Sequence, residues 1–317
     1  MLEVFFCNVG DGDATLFVER RADAPDYVVL VDAGRPYLEP AEGSLRKEAI
    51  YFLKARGVKA IDLLILTHLH IDHIGGAMRI LMNVPVKRLV TLTLPPEDAE
   101  WVAPSFVSTE KSINGLCCML NILADLVRIA KARGTTVEFA KAETERLTDR
   151  LSLTTILPKA DVIERQALVF DALYHGITPE HDLCRRVSKE RNPSSLMHRF
   201  TYAGRSVLLT GDRYGFDWED EPVVSCDILK LPHHGDPKSM TPPLLARLHP
   251  AFAVISCQNN EKAKKDRPNA EVLAFVQKAV PTVLCTENRA MPTLPAATHN
   301  GIRFAIGSDG SIVCSIE

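Results

Sequence analysis

The chain has 317 residues, 46% of them hydrophobic, and a formal net charge of -3 from 37 Lys plus Arg against 40 Asp plus Glu. That composition supports a sizeable buried core and excludes a basic protein drawn to nucleic acid by its overall field, so any nucleic-acid substrate must be held locally. No uninterrupted apolar run reaches the roughly 18 residues of a membrane span, and the opening MLEVFFCNVGDGD lacks a basic stretch followed by a signal-length apolar core, so a cytoplasmic protein with no membrane partner is expected.

In chain order, short β-branched runs punctuated by Gly, Asp and Pro predict strands at EVFFCNV, ATLFVER, YVVLVDA, DLLILTH and RLVTLTL, and later at SLMHRFTY, SVLLTGD, CDILKLP, FAVISC, TVLCTE, IRFAIG and SIVCSIE. Several are apolar throughout, as strands covered on both faces are. Between them, helical periodicity marks SLRKEAIYFLKARG, IGGAMRILMN, NGLCCMLNILADLVRIAKARG, TPPLLARLHP and NAEVLAFVQKAV, the last with Asn269 as its cap. Strands and helices in each half predict an α/β protein with two sheets between helices, read as a single domain over 1–317 with insertions at about 95–150 and 160–191. The eight cysteines are scattered without a CxxC pair, which predicts reduced, buried thiols.

One strand, IDLLIL, runs directly into THLHIDHIGG, which sets His68, His70, Asp72 and His73 within six positions. Neutral imidazole and carboxylate suit zinc, manganese or iron. Alternation along an extended loop turns His68 and His70 one way and Asp72 and His73 another, so the stretch can serve two metals. Two metals need a shared ligand and further ligands from distant segments. RSVLLTGDR ends a strand at Asp212, placed to bridge, and CDILKLPHHG ends another at His233 and His234.

These stretches, with FFCNVGDGDATLF, VLVDAG and AFAVISCQNNEKAKKDRPNAEVLAFV, make the chain resemble metallo-β-lactamase-fold hydrolases, and within them the C-terminal hydrolase domain of the ComEC DNA-uptake proteins and their stand-alone relatives. The resemblance implies a four-layer αββα sandwich of two mixed sheets with the site on one rim. It also implies two divalent metal ions, zinc or manganese. His68 and His70 match ligands of the first metal, Asp72 and His73 ligands of the second, Asp212 the bridging carboxylate and His234 the second-metal histidine, with His233 left as a neighbouring group or phosphate contact. Asp32 matches a residue that supports the metal loop by hydrogen bonds.

The chain also departs from that pattern. Where a first-metal histidine is expected it reads KERNPSSLMHRF, with Asn192 or Arg191 in that place; Asn192 is a weak oxygen ligand that suits manganese better than zinc. His175, His181 and His198 are the alternative donors. Asp236 and Arg267-Pro268 replace the Ser and His-Pro common in relatives, and Lys262, Lys264, Lys265 and Arg267 form a small basic cluster that is either a solvated loop or a phosphate contact.

The expected activity is phosphodiester hydrolysis, in a nuclease or phosphodiesterase, by a hydroxide bridging two metals. Asp72 orients the nucleophile, and His233 or Lys238 helps the leaving group. Nucleic acid or another phosphodiester is the expected partner, and protein partners are left open. The same fold supports hydrolysis of lactones, thioesters or β-lactams, and a non-catalytic metal-binding module is the third reading.

Overall fold

A computed structural model describes residues 1–38, 42–103, 109–258 and 267–317, and the apolar runs pair in it as two large sheets. The first has eight strands in the order β17 (Ile312–Ile316), β16 (Gly301–Ile306), β1 (Leu2–Cys7), β2 (Thr15–Glu19), β3 (Tyr27–Val31), β4 (Ile61–Leu66), β5 (Val86–Thr91) and β6 (Thr136–Phe139). It is antiparallel from β17 to β3 and parallel from β3 to β6. The second has seven: β13 (Thr282–Cys285), β12 (Phe252–Ile255), β11 (Ile228–Lys230), β10 (Arg205–Leu209), β9 (Met197–Tyr202), β8 (Leu151–Ile156) and β7 (Thr144–Arg146). Here β13 to β10 are parallel and β10 to β7 antiparallel. A small ribbon pairs β14 (Glu287–Asn288) with β15 (Ala297–Thr298).

The strands' alternation explains the layering, because successive side chains point to opposite faces. Val4, Phe6, Phe17 and Val29 of the first sheet meet Phe200, Val207 and Ile228 of the second in a central core, where Phe17 and Phe200 stack at 3.9 Å between centroids. The opposite face of the first sheet buries Phe5, Leu16, Leu30 and Leu64 against helices, and that of the second buries Leu208, Leu229 and Ala253 against the helices Pro242–Leu248 and Ala270–Ala279. The fold is therefore the expected αββα sandwich.

The stretch 95–150 supplies the helix Lys111–Ala132 together with β6 and β7, edge strands that the apolar periodicity did not mark. Lys111–Ala132 is long and apolar enough to cross a membrane by length and composition, but its residues Ile113, Leu116, Leu120, Leu123 and Leu126 are fully buried in the helix-facing core of the first sheet. Residues 160–191 form the helices Ala160–Tyr174 and His181–Lys189.

The parallel strands β3, β4, β10, β11 and β12 end on one rim, where loops beyond carboxyl ends of strands build ligand sites. The two sheets are tied there by the Leu196 amide donating to the Thr67 carbonyl at 2.9 Å.

Candidate metal centre

The strand β4 is buried over its whole length and stops at Thr67, whose amide and hydroxyl donate to the two oxygens of Asp32 at 2.8 and 2.7 Å. With the hydroxyl proton committed, Thr67 Oγ1 accepts from His68 Nδ1 at 3.1 Å, which turns the bare His68 Nε2 inward. That nitrogen lies 3.0 Å from His70 Nδ1. A tetrahedral ion with bonds of about 2.0–2.1 Å separates its ligand atoms by about 3.3 Å. The chain then turns into the short helix Ile71–Ile74, which brings Asp72 and His73 round to a second position.

His73 Nδ1 donates to Asp32 Oδ2 at 2.7 Å, leaving Nε2 aimed at Asp212 Oδ2, 3.3 Å away. His234 Nδ1 donates to the Ser256 carbonyl at 2.9 Å, leaving its Nε2 3.6 Å from Asp212 Oδ2 and 3.8 Å from Asp72 Oδ2. Asp212 Oδ2 also lies 3.9 Å from His68 Nε2, so one oxygen faces both positions. The clustered donors accordingly fall into the groups His68, His70, Asp212 and Asp72, His73, His234, with a third formed by Asp13, His73 and Asp212. Among the described residues the buried His73 Nε2, His234 Nε2, Asp212 Oδ1 and Asp13 Oδ1 have no hydrogen-bond partner, a costly state that divalent cations relieve. The donor set fits divalent metal binding.

Charge follows the same division. Burial, with His73 and His70 alongside, pushes His68 well below its ordinary value, and burial together with the Arg191 guanidinium takes His70 down to about 3. Burial opposes a charge on His73 as well, yet Asp212 and Asp32 hold it well above the usual imidazole range. Burial alone would raise both carboxyls, but His73 and His234 bring Asp72 down to about 2 and hold Asp212 well below the carboxylate range.

Tight backbone contacts fix these groups. His233, His234 and Gly235 have φ of 48, 56 and 74°, consecutive left-handed residues that aim both imidazoles at the rim. Asp32, at φ 59°, is another non-glycine residue in this region, held by its three hydrogen bonds. A Cβ on Gly12 would come within 2.3 Å of the Asp72 carbonyl, so the NVGDGD loop can sit on the metal loop only with glycine there.

Asn192 occupies a buried position, with Nδ2 donating to Tyr214 Oη at 3.3 Å and lying 3.0 Å from His233 Nε2; its Oδ1 has no partner among the described residues. His233 Nε2 lies 3.8 Å from Asp212 Oδ2, outside the three donor groups, and burial, reinforced by Arg267 and partly offset by Asp212, lowers it to about 4. Lys238 is exposed, 5.6 Å over the Tyr214 ring. The alternative donors lie elsewhere: His175 contacts Asp171 and Asp98, His181 contacts Glu110, and His198 is buried on β9 beside Thr155. Arg267 contacts His233 and Asp236, whereas Lys262, Lys264 and Lys265 lie outside the described residues.

Asp13, Lys230 and Arg35 were not singled out as site residues from the sequence, and Arg191 was named only as an occupant of the expected histidine's place. Lys230, buried in β11, pairs with Asp13, donates to the Gly211 carbonyl at 3.2 Å and lies 3.9 Å from Asp212 Oδ1. A lysine inside the apolar run DILKLP just before PHHG was the available signal. Arg35 Nη2 lies 3.0 Å from Asp11 and 4.0 Å from Asp72, and Arg191 donates to the Leu69 carbonyl at 3.3 Å.

A model of the metallo-beta-lactamase superfamily matches residues 8–258. ComE operon protein 3 of Bacillus subtilis (strain 168) is 28% identical over 301 residues, which cover 90% of this chain and 32% of that protein, so the chain spans about a third of the length of this curated relative. Similar solved structures include the metallo-beta-lactamase fold protein YhfI from Bacillus subtilis, with TM-score 0.46 and 11% identity over 90% of this chain and 96% of that one. The isothiocyanate hydrolase from Delia radicum gut bacteria has TM-score 0.46 and 15% identity, with both chains covered in full.

Proposed function

Because the chain belongs to the metallo-beta-lactamase superfamily and is a metal-dependent hydrolase, we propose that it hydrolyses phosphodiesters, with nucleic acid as the polymer cleaved. The observation that carries this reading is the arginine-lined mouth of the site. With two divalent cations bound, Asp32, Asp72 and Asp212 leave one positive charge over, since Lys230 offsets Asp13. Arg35, Arg191 and Arg267 outnumber their neighbours Asp11 and Asp236 by one more. An anionic substrate answers that excess, whereas a neutral lactone or thioester leaves it uncompensated.

In this reading His68, His70 and Asp212 hold one ion, and Asp72, His73, Asp212 and His234 the other. When bound, such a pair lowers the pKa of a water toward neutrality and stabilises charge on the phosphoryl oxygens. Asp32 fixes the tautomer of His73, and the Ser256 carbonyl fixes that of His234, so both nitrogens are aimed before any ligand arrives. Asp72 orients the attacking water. Arg267 takes a non-bridging oxygen, and His233, held by Asn192, sits beside the leaving oxygen. Lys238 reaches the leaving group only by swinging off the Tyr214 ring. Asn192 at the first position suits manganese better than zinc.

A second reading has one observation in its favour. A cavity of about 470 Å³ lined by Leu92, Leu94, Phe139, Leu157 and Phe170 opens at the carboxyl ends of β5, β6 and β8, and it would suit an apolar carbonyl substrate. Metal analysis of the purified protein, with cleavage assays on single- and double-stranded DNA, RNA, cyclic dinucleotides and a lactone series, separates the two. Turnover of lactones alone by a metal-loaded protein removes the phosphodiesterase reading.

A further inference from the structure

A cleft of about 430 Å³ opens beside Asp72, lined by Asp11, Arg35, Tyr37, Arg46, Ile71 and Gln258. Its volume falls in the range of small-molecule sites. None of the metal-donor groups lines it, but it adjoins them, because Ile71 precedes Asp72 and Arg35 Nη2 lies 4.0 Å from the Asp72 carboxylate. Resting on the phosphodiesterase reading, we infer that this cleft is the subsite for the nucleotide flanking the scissile phosphodiester, with Arg35 and Arg46 holding its phosphate and Tyr37 its base.

Arg35 is set rigidly against the metal loop by the backbone before it. The Ala33 amide donates to the His73 carbonyl at 2.8 Å, the Gly34 amide to Asp13 at 2.8 Å, and the Gly76 amide to the Gly34 carbonyl at 2.9 Å. Its Nε donates to the Asp11 carbonyl at 3.1 Å and its Nη2 to the Asp11 carboxylate at 3.0 Å, which holds the guanidinium in the cleft wall. Arg46 is aimed from the other wall by Gln258, which accepts from its Nη1 at 3.0 Å, and its stem lies over Gly10, where a Cβ would come within 3.0 Å of Cδ. Arg267 adds a third cation, 3.9 Å from Asp11. Arg35, Arg46 and Arg267 bring three guanidinium groups to the cleft and its edge, with Asp11 and Asp236 among the carboxylates they meet. Arginine forks match phosphate oxygens in a bidentate manner.

Tyr37 stands at the mouth with 75% of its surface exposed, and among the described residues no aromatic ring or cation covers it. An open aromatic face beside guanidinium groups is the arrangement that binds unpaired nucleotides, since every base can stack and every linkage carries a phosphate. A base held this way must be splayed from its neighbours, which makes single strands the substrate that fits.

The test uses manganese-loaded protein and a fluorescein-labelled oligothymidylate whose phosphorothioate backbone resists cleavage, with binding followed by anisotropy. Tyr37→Ala and Arg46→Ala should each weaken binding about tenfold, Tyr37→Trp should restore it, and Arg46→Ala should lower the slope of log affinity against log salt by about 0.7. Tyr37 is exposed, so its replacement leaves the fold intact and keeps the test open if Arg46→Ala folds poorly. If the wild-type protein binds and cleaves oligothymidylate while both alanine variants bind it equally well, the subsite is wrong and the phosphodiesterase reading survives. Equal weakening by Tyr37→Ala and Tyr37→Trp also overturns it. If the wild-type protein neither binds nor cleaves any oligonucleotide, the phosphodiesterase reading fails and the subsite goes with it.

Discussion

The two donor groups of the candidate metal centre both face Asp212 and differ in what stands behind them. Around the second position His73 is locked by Asp32 and His234 by the Ser256 carbonyl, and Asp72 is carried on a helix turn whose neighbouring backbone is bonded to the NVGDGD loop. Around the first, His68 is held by Thr67, but His70 is partly exposed, and the proposed third ligand, Asn192, is bonded to Tyr214 and close to His233. A ligand whose other nitrogen is already bonded loses little freedom on binding, so the second position is the better prepared of the two. Similar donors at two adjacent positions can therefore differ in affinity through their supporting hydrogen bonds alone.

The largest expected effect erases the comparison. Asp212→Ala removes the oxygen facing both positions and should cost both ions and about 10³-fold or more in turnover; full occupancy with normal rates would remove Asp212 from the centre. Next, His234→Ala should deplete one ion and His70→Ala the other, while His233→Ala leaves stoichiometry near two and mainly slows turnover. Metal analysis of the three variants reads this directly, and depletion by His233→Ala but not His234→Ala would exchange their roles. Asp32→Asn should weaken the better-held ion by about 10–100-fold and the other far less. Titration with a competing chelator would break the contrast if both affinities fell alike.

Two further tests sharpen it. Asn192→His should tighten the first position and shift its preference from manganese toward zinc, read as the order in which the two metals restore activity to stripped protein; no change in that order would place the missing ligand elsewhere. The second test varies pH. Asp212 and Asp32 hold His73 above its ordinary value, so without metal its proton persists through neutrality and must leave when an ion binds. Affinity at the second position should therefore rise with pH, by up to about tenfold per unit, until the folded His73 value is passed. Burial keeps His68 and His70 neutral, so affinity at the first position should stay nearly flat from about pH 8 to 5. Calorimetry in buffers of different ionisation heat counts the protons released, and equal release at both positions would contradict this assignment.

Much of the donor cluster was legible because its residues are local in the chain. His68, His70, Asp72 and His73 lie in one strand-to-helix loop, and Asp212 and the His233-His234 pair each follow an apolar strand. Asp13 and Lys230 were hidden for the opposite reason. Their meaning comes from a close approach between β1's loop and β11, and GDGD reads as an ordinary turn until Gly12 is seen pressed on the Asp72 carbonyl. Arg35 acquires its place beside Asp72 the same way, through backbone bonds to a loop about forty residues on. The strands β6 and β7 escaped because they are short edge strands with exposed and half-buried residues, which carry little apolar signal.

The left-handed run at His233, His234 and Gly235 has a consequence for laboratory evolution. Non-glycine residues there cost of order 1–3 kcal/mol each, and the buried His233 Nδ1 and His234 Nε2 add unsatisfied polar atoms. A screen that rewards heat resistance without asking for catalysis therefore has no reason to keep either imidazole, and glycine or asparagine should accumulate at both places while the sandwich survives. Libraries built from this chain will lose chemistry before they lose shape, and thermal melting will not report the loss.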